Sequence, residues 1–435
     1  MSLNRRDLFK TSALGALTVG PGAILLSGCD TGGSPSDPDD PSGSAASEIT
    51  FNNHELAESS GEFYEELMAD YEAESGVHVD GNGIPFNEAL NQYILQARSG
   101  SLVGVVSLGQ AWIPPMAELG ALQPLDDRID RSIFQESALA TVTYDGSLYA
   151  FPTTSGAIGM VCNRDLLQQA GIADLPTDID AFTAALRALK EFDPDLIPYA
   201  AMTAAEQGKD IAAWMRTFGS DVITEDGTLT LGDAPSVETL TWYKSLYDEG
   251  LLAPNMTRFD TRPLFAQGRV AFYDDADIAP NLIRDQEADD TILEAMTPVP
   301  RPTKPGVDRP PQALQWGGGG HAVLAGDEAV VAASTDFAEW MTTQPDIVLR
   351  AFEATGRAPV LLEALEDSQF TEDEWATQWA GEIAAHARPL FESYPEGSRM
   401  GELLGQAVAD VMLDAKEPQA ALDEAAAEIE PLLER

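Results

Sequence analysis

From residue 48 onward, apolar strand patterns alternate with amphipathic helix patterns, and this alternation limits the folds open to the chain. Residues 49 to 51 are a strand candidate. A helix candidate follows, in which Phe63, Leu67 and Tyr71 are spaced by four and therefore share one face. Residues 103 to 108 are an apolar run of the buried-strand type. The pattern predicts an α/β fold in which helices cover parallel sheets.

The same alternation continues to the C-terminus, with turn residues between the elements. Asp145-Gly146 between strand-like residues predicts a hairpin, and the proline-rich stretch 298–311 predicts a loop. With 435 residues, the chain is too long for one small core and predicts two lobes. The other predicted elements are strands at 77–79, 158–163 and 269–273, and helices at 61–75, 87–98, 165–170, 177–190, 236–249, 330–342 and 418–433; residues 316–324 lead into the helix at 330–342.

Residues 1 to 28 predict an export signal. Arg5 and Arg6 stand in a charged start, and the nearly uncharged stretch 11–26 follows. The paired arginines resemble the twin-arginine type of signal. A transmembrane anchor is the alternative interpretation. The apolar stretch contains three glycines and a proline, however, and is shorter than the ~20 strongly apolar residues that a span needs.

A lone cysteine follows this signal directly. Leu26-Ser27-Gly28-Cys29 resembles a lipobox, which predicts that Cys29 is lipidated and becomes the first residue of the mature protein. Residues 29 to 47 contain no large apolar side chain, so they predict a disordered tether. An ordinary buried cysteine fits poorly beside Gly, Pro and Asp. The expected location is the extracellular face of the membrane, where the lipid on Cys29 holds the protein.

Cysteine usage and charge narrow the class of protein further. Cys29 and Cys162 are the two cysteines, so a lipidated Cys29 leaves no intramolecular disulfide, and apolar neighbours predict a core position for Cys162. The chain has 72 acidic and 25 basic residues, a net charge of −47, which argues against a nucleic-acid partner. Lysine is scarcer than arginine, which favours a surface adapted to high salt. An acidic protein from an Arg-rich, high-GC genome is the alternative.

Eight short segments follow one another in an order typical of a known family. They are 63–79, 106–112 (Val-Ser-Leu-Gly-Gln-Ala-Trp), 119–126, 145–152 (Asp-Gly-Ser-Leu-Tyr-Ala-Phe-Pro), 163–167, 265–271 (Phe-Ala-Gln-Gly-Arg-Val-Ala), 316–320 (Trp-Gly-Gly-Gly-Gly) and 356–359 (Gly-Arg-Ala-Pro). In this order they resemble the extracellular solute-binding proteins of the first family. That family includes maltose-binding and other sugar-binding lipoproteins that deliver substrate to ABC importers.

The resemblance implies a type II periplasmic-binding-protein-like fold of two α/β lobes, each a sheet flanked by helices. Lobe one is expected at residues 48–156 plus 316–360, and lobe two at 157–315 plus 361–435. The ligand cleft lies at the hinge, and the lobes close around the ligand. The family usually has Pro-Asp where this chain has residues 101 to 104 (Ser-Leu-Val-Gly). Many of its sugar binders have Gly-Pro-Trp where this chain has residues 274 to 277 (Asp-Asp-Ala-Asp), so one stacking aromatic is missing.

The function implied is a non-catalytic, monomeric receptor without cofactor or metal, whose partners are a sugar solute and the permease subunits of an ABC transporter. A sugar site needs hydrogen-bonding groups and flat aromatic faces. In such sheets ligands bind at the carboxyl ends of strands. The candidates are therefore the polar, aromatic and glycine residues that follow predicted strands or lie at expected crossovers: Asn53, His54, Glu55, Gln110, Trp112, Thr154, Ser155, Tyr273, Asp274, Asp275, Asp277, Trp316 and Gly317.

Several of these candidates have a structural interpretation as well. Tryptophans usually belong to the core, but Trp316 precedes four glycines that offer it no side chain to pack on, which favours stacking in the cleft. The glycine run indicates close backbone approach at a hinge, since no Gly-Lys-Ser/Thr follows to make a phosphate cradle. His54 also fits a loop or helix cap. The aspartates at 274 to 277 are either solvated surface charge or part of a cation site.

Other functions remain open at this point. A polysaccharide-active enzyme with paired carboxylates is one, although the chain has no Gly-x-Ser-x-Gly and no His-Glu-x-x-His. A cell-surface sensor or adhesion protein is another. A polyamine or other cation held by Asp274, Asp275 and Asp277 is the alternative ligand. An anionic ligand is disfavoured, because lysine and arginine are scarce around the candidate strand ends.

Overall fold

The computed structural model describes residues 46–58, 60–224 and 226–433. The predicted signal, lipobox and lipidated Cys29 lie outside these ranges, as does most of the tether. Within them, no helix combines the length and apolar character that crossing a membrane requires.

Strands of the described residues form one mixed sheet and a small hairpin. The nine-stranded sheet has the order β2-β1-β3-β10-β6-β8-β7, with β11 beside β10 and β9 beside β6, and β4 pairs with β5. The strands are β1 (Glu48–Asn52), β2 (His78–Asn82), β3 (Val105–Gly109), β4 (Thr143–Tyr144), β5 (Ser147–Leu148), β6 (Ala150–Asn163), β7 (Ile197–Ala200), β8 (Val270–Asp275), β9 (Met296–Val299), β10 (Ala313–Val323) and β11 (Ala387–Arg388).

Helices account for most of the remaining chain. The α-helices are α1 (Gly61–Ser75), α2 (Phe86–Ser99), α3 (Ile113–Glu118), α4 (Glu136–Thr141), α5 (Arg164–Gln169), α6 (Ile179–Phe192), α7 (Ile211–Phe218), α8 (Ala234–Asp248), α9 (Arg258–Ala266), α10 (Ala279–Arg284), α11 (Asp290–Ala295), α12 (Glu328–Thr343), α13 (Pro345–Thr355), α14 (Leu362–Leu365), α15 (Ser368–Thr371), α16 (Glu374–Glu382), α17 (Gly397–Met412) and α18 (Pro418–Ile429). Short 3-10 helices occupy His54–Ala57, Gln110–Trp112, Arg131–Ile133, Gly208–Asp210, Ala384–His386 and Glu430–Leu432.

Helix ends follow local chemistry. α1 has the predicted bounds and ends at Gly76, whose φ of 76° suits glycine. α6 begins two residues later than predicted, because the Asp178 side chain accepts hydrogen bonds from the backbone of Asp180 and Ala181 and so caps the helix. The Asp145-Gly146 hairpin is confirmed, with β4 antiparallel to β5.

The expectation of parallel sheets is only partly right. β1 is parallel to β2 and β3, and β7 is parallel to β8. In the middle of the sheet, β10 is antiparallel to β3 and β6, and β6 is antiparallel to β8. The strand predicted at 158–163 is the second half of β6, which starts at Ala150. Its first half contains Thr, Ser and Gly, which hid it from an apolar pattern, although threonine favours extended backbone.

Two large hydrophobic cores lie along this sheet. The first core takes its buried residues from 49–151 and 322–364. The second core takes its buried residues from 158–314 and 390–429 and includes Cys162, so the predicted core position of that cysteine is confirmed. β6 and β10 run from one core to the other.

The glycine run in β10 permits close backbone approach, as predicted. A Cβ at Gly319 would lie 2.1 Å from the Leu108 carbonyl oxygen, and one at Gly320 would lie 2.0 Å from the Phe151 carbonyl oxygen. Such contacts are too short for any side chain, so both neighbours of β10 can pair closely only with glycine at these positions.

Gly320→Ala is therefore expected to lower the free energy of unfolding by about 1–3 kcal/mol, because β6 must move to admit the methyl group. Urea unfolding followed by circular dichroism measures the change. Gly326→Ala is the matched control, since a Cβ there has no heavy atom within 4 Å. A loss equal to that of the control would show that the backbone contact at Gly320 is not tight.

Candidate functional site

A cavity of about 620 Å³ lies where β6 and β10 pass between the two cores. Its lining comes from both cores, from the ends of β1 and β3 on one side and from α9 and the Gly208–Asp210 turn on the other. Seven predicted site residues line this cavity: His54, Glu55, Gln110, Trp112, Thr154, Trp316 and Gly317. The strand-end and crossover arguments thus converge on one place.

The other six candidates do not line the cavity. Asn53 is fully buried, and its side chain accepts a hydrogen bond from the Glu55 backbone, so it caps the turn that presents His54 and Glu55. Ser155 is absent from the lining, and Tyr273 is buried against Phe265 at a ring-centroid distance of 4.7 Å.

Asp274 and Asp275 end β8, Asp277 follows it, and all three are buried, so their interpretation as solvated surface charge is wrong. Asp274 pairs with Arg301 at 2.6 Å and Asp275 with Arg262 at 2.8 Å. Burial raises the pKa of Asp277. Among the described residues, no group of three acidic, histidine or cysteine side chains is placed to hold a metal ion. With arginines on two of the three carboxylates, the cation alternative has lost its main support.

Aromatic rings line the cavity from several sides. Trp316 is partly buried, and the Arg357 guanidinium lies 5.6 Å from its ring centroid. Arg357 is thus the packing partner that the neighbouring glycines could not supply. Trp112 packs against Phe86 at 5.0 Å. Phe86 and Phe259 line the cavity with 45% and 64% of their surfaces exposed. Large exposed aromatics inside a concavity are available for stacking on a ligand.

Glu55 is held by two neighbours. Its Oε2 accepts a 2.6 Å hydrogen bond from the Tyr64 hydroxyl, and its Oε1 lies 3.0 Å from a terminal nitrogen of Arg357. Burial alone would raise the pKa of Glu55, but the Arg357 and His54 charges and the hydrogen bonds from Tyr64 and Arg357 together hold that pKa below its usual range. The carboxylate is therefore ionised and already engaged.

The second-core side of the cavity is also charged. Lys209 lies 3.2 Å from Glu392, and Arg258 forms a short ion pair with Asp210. Arg262 lines the cavity as well, in its pair with Asp275. Cationic residues are thus present in the cavity, contrary to the expectation of scarcity, although each is bound to a carboxylate.

Two histidines add neutral polar surface. Burial lowers the pKa of His54 to about 4 and that of His321 to about 4. Both rings line the cavity and are uncharged at neutral pH. His54 contacts the rings of Phe86 and Trp112 edge-on, so it belongs to the aromatic side of the cavity.

The sequence analysis did not identify the charged residues on the second-core side of the cavity or the two exposed rings, Phe86 and Phe259. Lys209 and Asp210 follow β7, which was not predicted because it contains Pro198; β7 is an edge strand, where proline is tolerated. Phe86 follows β2, so the strand-end argument, applied there, finds it. Phe259 lies inside α9, for which no strand-end signal exists.

Two proteins with sequences related to this chain are named as binding proteins. A putative binding protein of Brucella abortus (strain 2308) is 26% identical over 256 residues, covering 55% of this chain and 61% of that protein. A maltotriose-binding protein of Pyrococcus abyssi is 24% identical over 313 residues, covering 70% of this chain and 64% of that protein. The matched part of the chain thus spans less than two thirds of these relatives.

Solved structures share the fold along nearly the whole chain. The GacH receptor of Streptomyces glaucescens, solved unliganded and with acarbose, has a TM-score of 0.79 at 21% identity, covering 89% of this chain and 98% of that one. Maltose-bound MalE3 of T. maritima has a TM-score of 0.77 at 17% identity, covering 88% and 99%. The predicted two-lobed α/β fold is confirmed.

The family itself is shown by a sequence model. The model described as bacterial extracellular solute-binding protein matches residues 66–378, which is more than half of the chain. The resemblance drawn from the order of segments is therefore confirmed. The chain belongs to the family of bacterial extracellular solute-binding proteins.

Proposed function

We propose that this protein is the substrate-binding lipoprotein of an ABC importer, which captures a sugar or oligosaccharide outside the cell by hinge closure and delivers it to the membrane permease. The main support for this proposal is the cavity where β6 and β10 pass between the two cores. Exposed aromatic faces and fixed polar groups from both cores surround one space there. That combination matches the flat ring faces and hydroxyl groups of a saccharide. The maltotriose-binding relative supports the ligand class.

The two lobes of the proposal have the boundaries 48–156 plus 316–360 and 157–315 plus 361–435. Membership of the two cores supports this division, except that Leu361 and Ala364 pack in the first core. Only a closed arrangement lets groups of both lobes contact one ligand, so binding shifts the equilibrium toward closure. We also propose that the protein is a monomer, that it is exported by the twin-arginine route and that a lipid on Cys29 anchors it.

The proposed receptor binds its saccharide without changing it chemically. Three carboxylates of the cavity lining, Glu55, Asp210 and Glu392, each lie in an ion pair with a cationic side chain. A general acid or base must exchange protons with its substrate, and a carboxylate held this way is poorly suited to that. A carbohydrate-active enzyme is the alternative, and an unchanged saccharide after prolonged incubation contradicts it.

The test is calorimetric titration of the purified chain with neutral mono- and oligosaccharides, with polyamines and Fe³⁺ alongside, in molar salt. Binding of one saccharide class, recovered unchanged, supports the proposal. A saturating ligand at 100 times its Kd also raises stability by about 2.7 kcal/mol, which thermal unfolding detects independently. Binding of the cations alone contradicts the sugar assignment.

Trp316→Ala is expected to weaken saccharide binding by about 2 kcal/mol, roughly 30-fold in Kd, because the indole is a partly buried aromatic face in the cavity lining. Titration calorimetry measures the loss. Trp340→Ala is the matched control, since Trp340 packs on Tyr71 at 5.1 Å and donates to Glu74, away from the cavity lining. Equal affinity losses in both variants would mean that Trp316 acts only through the fold.

A further inference from the structure

Arg357 lies beside Trp316 in the cavity lining, and Glu55 in the same lining compensates its charge. Its Nε and a terminal nitrogen lie 3.2 Å and 3.0 Å from the same oxygen, Oε1 of Glu55. The other Glu55 oxygen is occupied by the Tyr64 hydroxyl at 2.6 Å. Glu55 is 6% exposed, and both of its carboxylate oxygens are engaged.

The rest of the guanidinium faces the floor of the cavity. Its carbon lies 5.6 Å from the Trp316 ring centroid. Its Nη1 takes no part in the bonds to Glu55 and lies 3.7 Å from the position that a Cβ on Gly317 would occupy. Gly317 has a φ of 70°, which favours glycine, so residue 317 contributes no side chain over this nitrogen. Two N–H groups are therefore held in place beside an aromatic face, as a saccharide hydroxyl requires.

We propose that the Glu55–Arg357 pair is a charge filter: it donates hydrogen bonds to the hydroxyl groups of an uncharged saccharide over Trp316 and rejects saccharides that carry a carboxylate there. This inference rests on the proposed function and specifies its ligand class. Guanidinium alone binds carboxylate well, through two parallel hydrogen bonds. Here Glu55 stands beside it and repels an incoming carboxylate, whose desolvation in the cavity is then not offset.

The charges of neighbouring groups also disfavour an anionic ligand at this site. Glu58 is exposed, lines the same cavity and lies close enough to Arg357 for the two charges to interact. His54 and His321 are neutral. The net charge around the Trp316 floor is thus zero or negative, although an arginine lies on it. Neutral hydroxyl acceptors lose little on entering such a site, whereas an anion loses its hydration without gaining a counter-charge.

The experiment compares two ligands that differ in charge. The tightest neutral saccharide of the panel is one, and the uronate obtained by oxidising its primary hydroxyl to a carboxylate is the other. We expect the wild-type protein to bind the neutral saccharide at least tenfold more tightly than the uronate. Glu55→Gln removes the ion-pair partner of Arg357, so it is expected to shift this preference toward the uronate by about tenfold or more.

Matched variants separate the filter from general electrostatics and from misfolding. Glu353→Gln removes one exposed charge from α13 outside the cavity lining and should leave the preference unchanged. The double variant Glu55→Gln with Arg357→Gln removes both members of the pair together, so neither is left without the other if Glu55→Gln alone fails to fold, while buried Asp277 loses the Arg357 charge. It should bind the neutral saccharide at least tenfold more weakly than wild type and show no gain for the uronate.

The outcomes distinguish the two levels of inference. Neutral binding with the same preference in wild type and Glu55→Gln, or undiminished neutral affinity in the double variant, overturns the filter and leaves the receptor in place. A wild-type protein that prefers the uronate also overturns the filter. Failure of both saccharides to bind wild type overturns the proposed function, and the filter falls with it.

Discussion

Replacing Arg301 with methionine is expected to lower the free energy of unfolding by about 3–5 kcal/mol, because it leaves the buried Asp274 carboxylate without a counter-charge. Arg301 lies 2.6 Å from Asp274, and both side chains are almost completely buried. The guanidinium also lies 4.6 Å from the Trp214 ring centroid, so the loss includes packing in the second core. Urea unfolding followed by circular dichroism and tryptophan fluorescence measures the change.

Two further variants test the cause of that loss. Arg399→Met removes an arginine from an exposed pair with Glu402 on α17 and is expected to cost at most about 1 kcal/mol. Adding Asp274→Asn to Arg301→Met removes the stranded charge while an amide oxygen still accepts from Tyr199, so part of the stability should return. If the double variant is no more stable than Arg301→Met, packing accounts for the loss and the buried charge does not.

The aspartates at the end of β8 show where sequence reasoning stops. They were predicted to follow a strand at 269–273, whereas β8 extends to Asp275 and includes two of them. Whether a carboxylate at such a position faces a ligand or an arginine depends on which side chain folds over it. Arg301 is 27 residues from Asp274 along the chain, and no periodic pattern connects the two. A strand-end argument therefore finds the right edge of the sheet without identifying the groups that occupy its space.

Local sequence patterns predicted more of the fold than of the candidate site. The spacing of apolar residues predicted α1, and the four glycines of β10 predicted close backbone approach. Pairing directions in the sheet were partly missed, since they depend on how distant segments meet. The Glu55–Arg357 pair joins residues 302 positions apart, so only the three-dimensional structure shows that Glu55 is engaged.

Acidification is expected to destabilise the protein through the same buried interior. Burial lowers the pKa of His321 to about 4 in the folded state, and its Nδ1 has no hydrogen-bond partner in the described part of the chain. The unfolded chain binds a proton near the ordinary histidine pKa of about 6.5. Between these two values the unfolded state carries the extra proton, so the contribution is complete above about pH 6.5 and is lost as the pH falls toward 4.

The size of this effect follows from the two pKa values. Their difference corresponds to about 3 kcal/mol lost from His321 alone between pH 7 and pH 4. His321→Phe keeps a planar ring against Phe51, whose centroid lies 5.3 Å away, and cannot titrate. We therefore expect the variant to lose about 3 kcal/mol less than wild type over that range, with His54 still contributing to the remaining loss. Urea unfolding at pH 7, 6, 5 and 4 gives both curves.

An exposed histidine supplies the control of opposite sign. The hydrogen bond and charge of Glu72 raise the pKa of His78, so its small contribution is present at low pH and disappears as the pH rises through that pKa. His78→Gln should therefore not reduce the acid-induced loss, whereas His321→Phe should. Parallel pH curves for wild type and His321→Phe would contradict the prediction, because they would mean that water or a nearby acceptor stabilises the charged imidazole in the folded protein. A reduced slope in His321→Phe alone would establish that a neutral imidazole between Phe51 and the cavity makes the fold sensitive to acid.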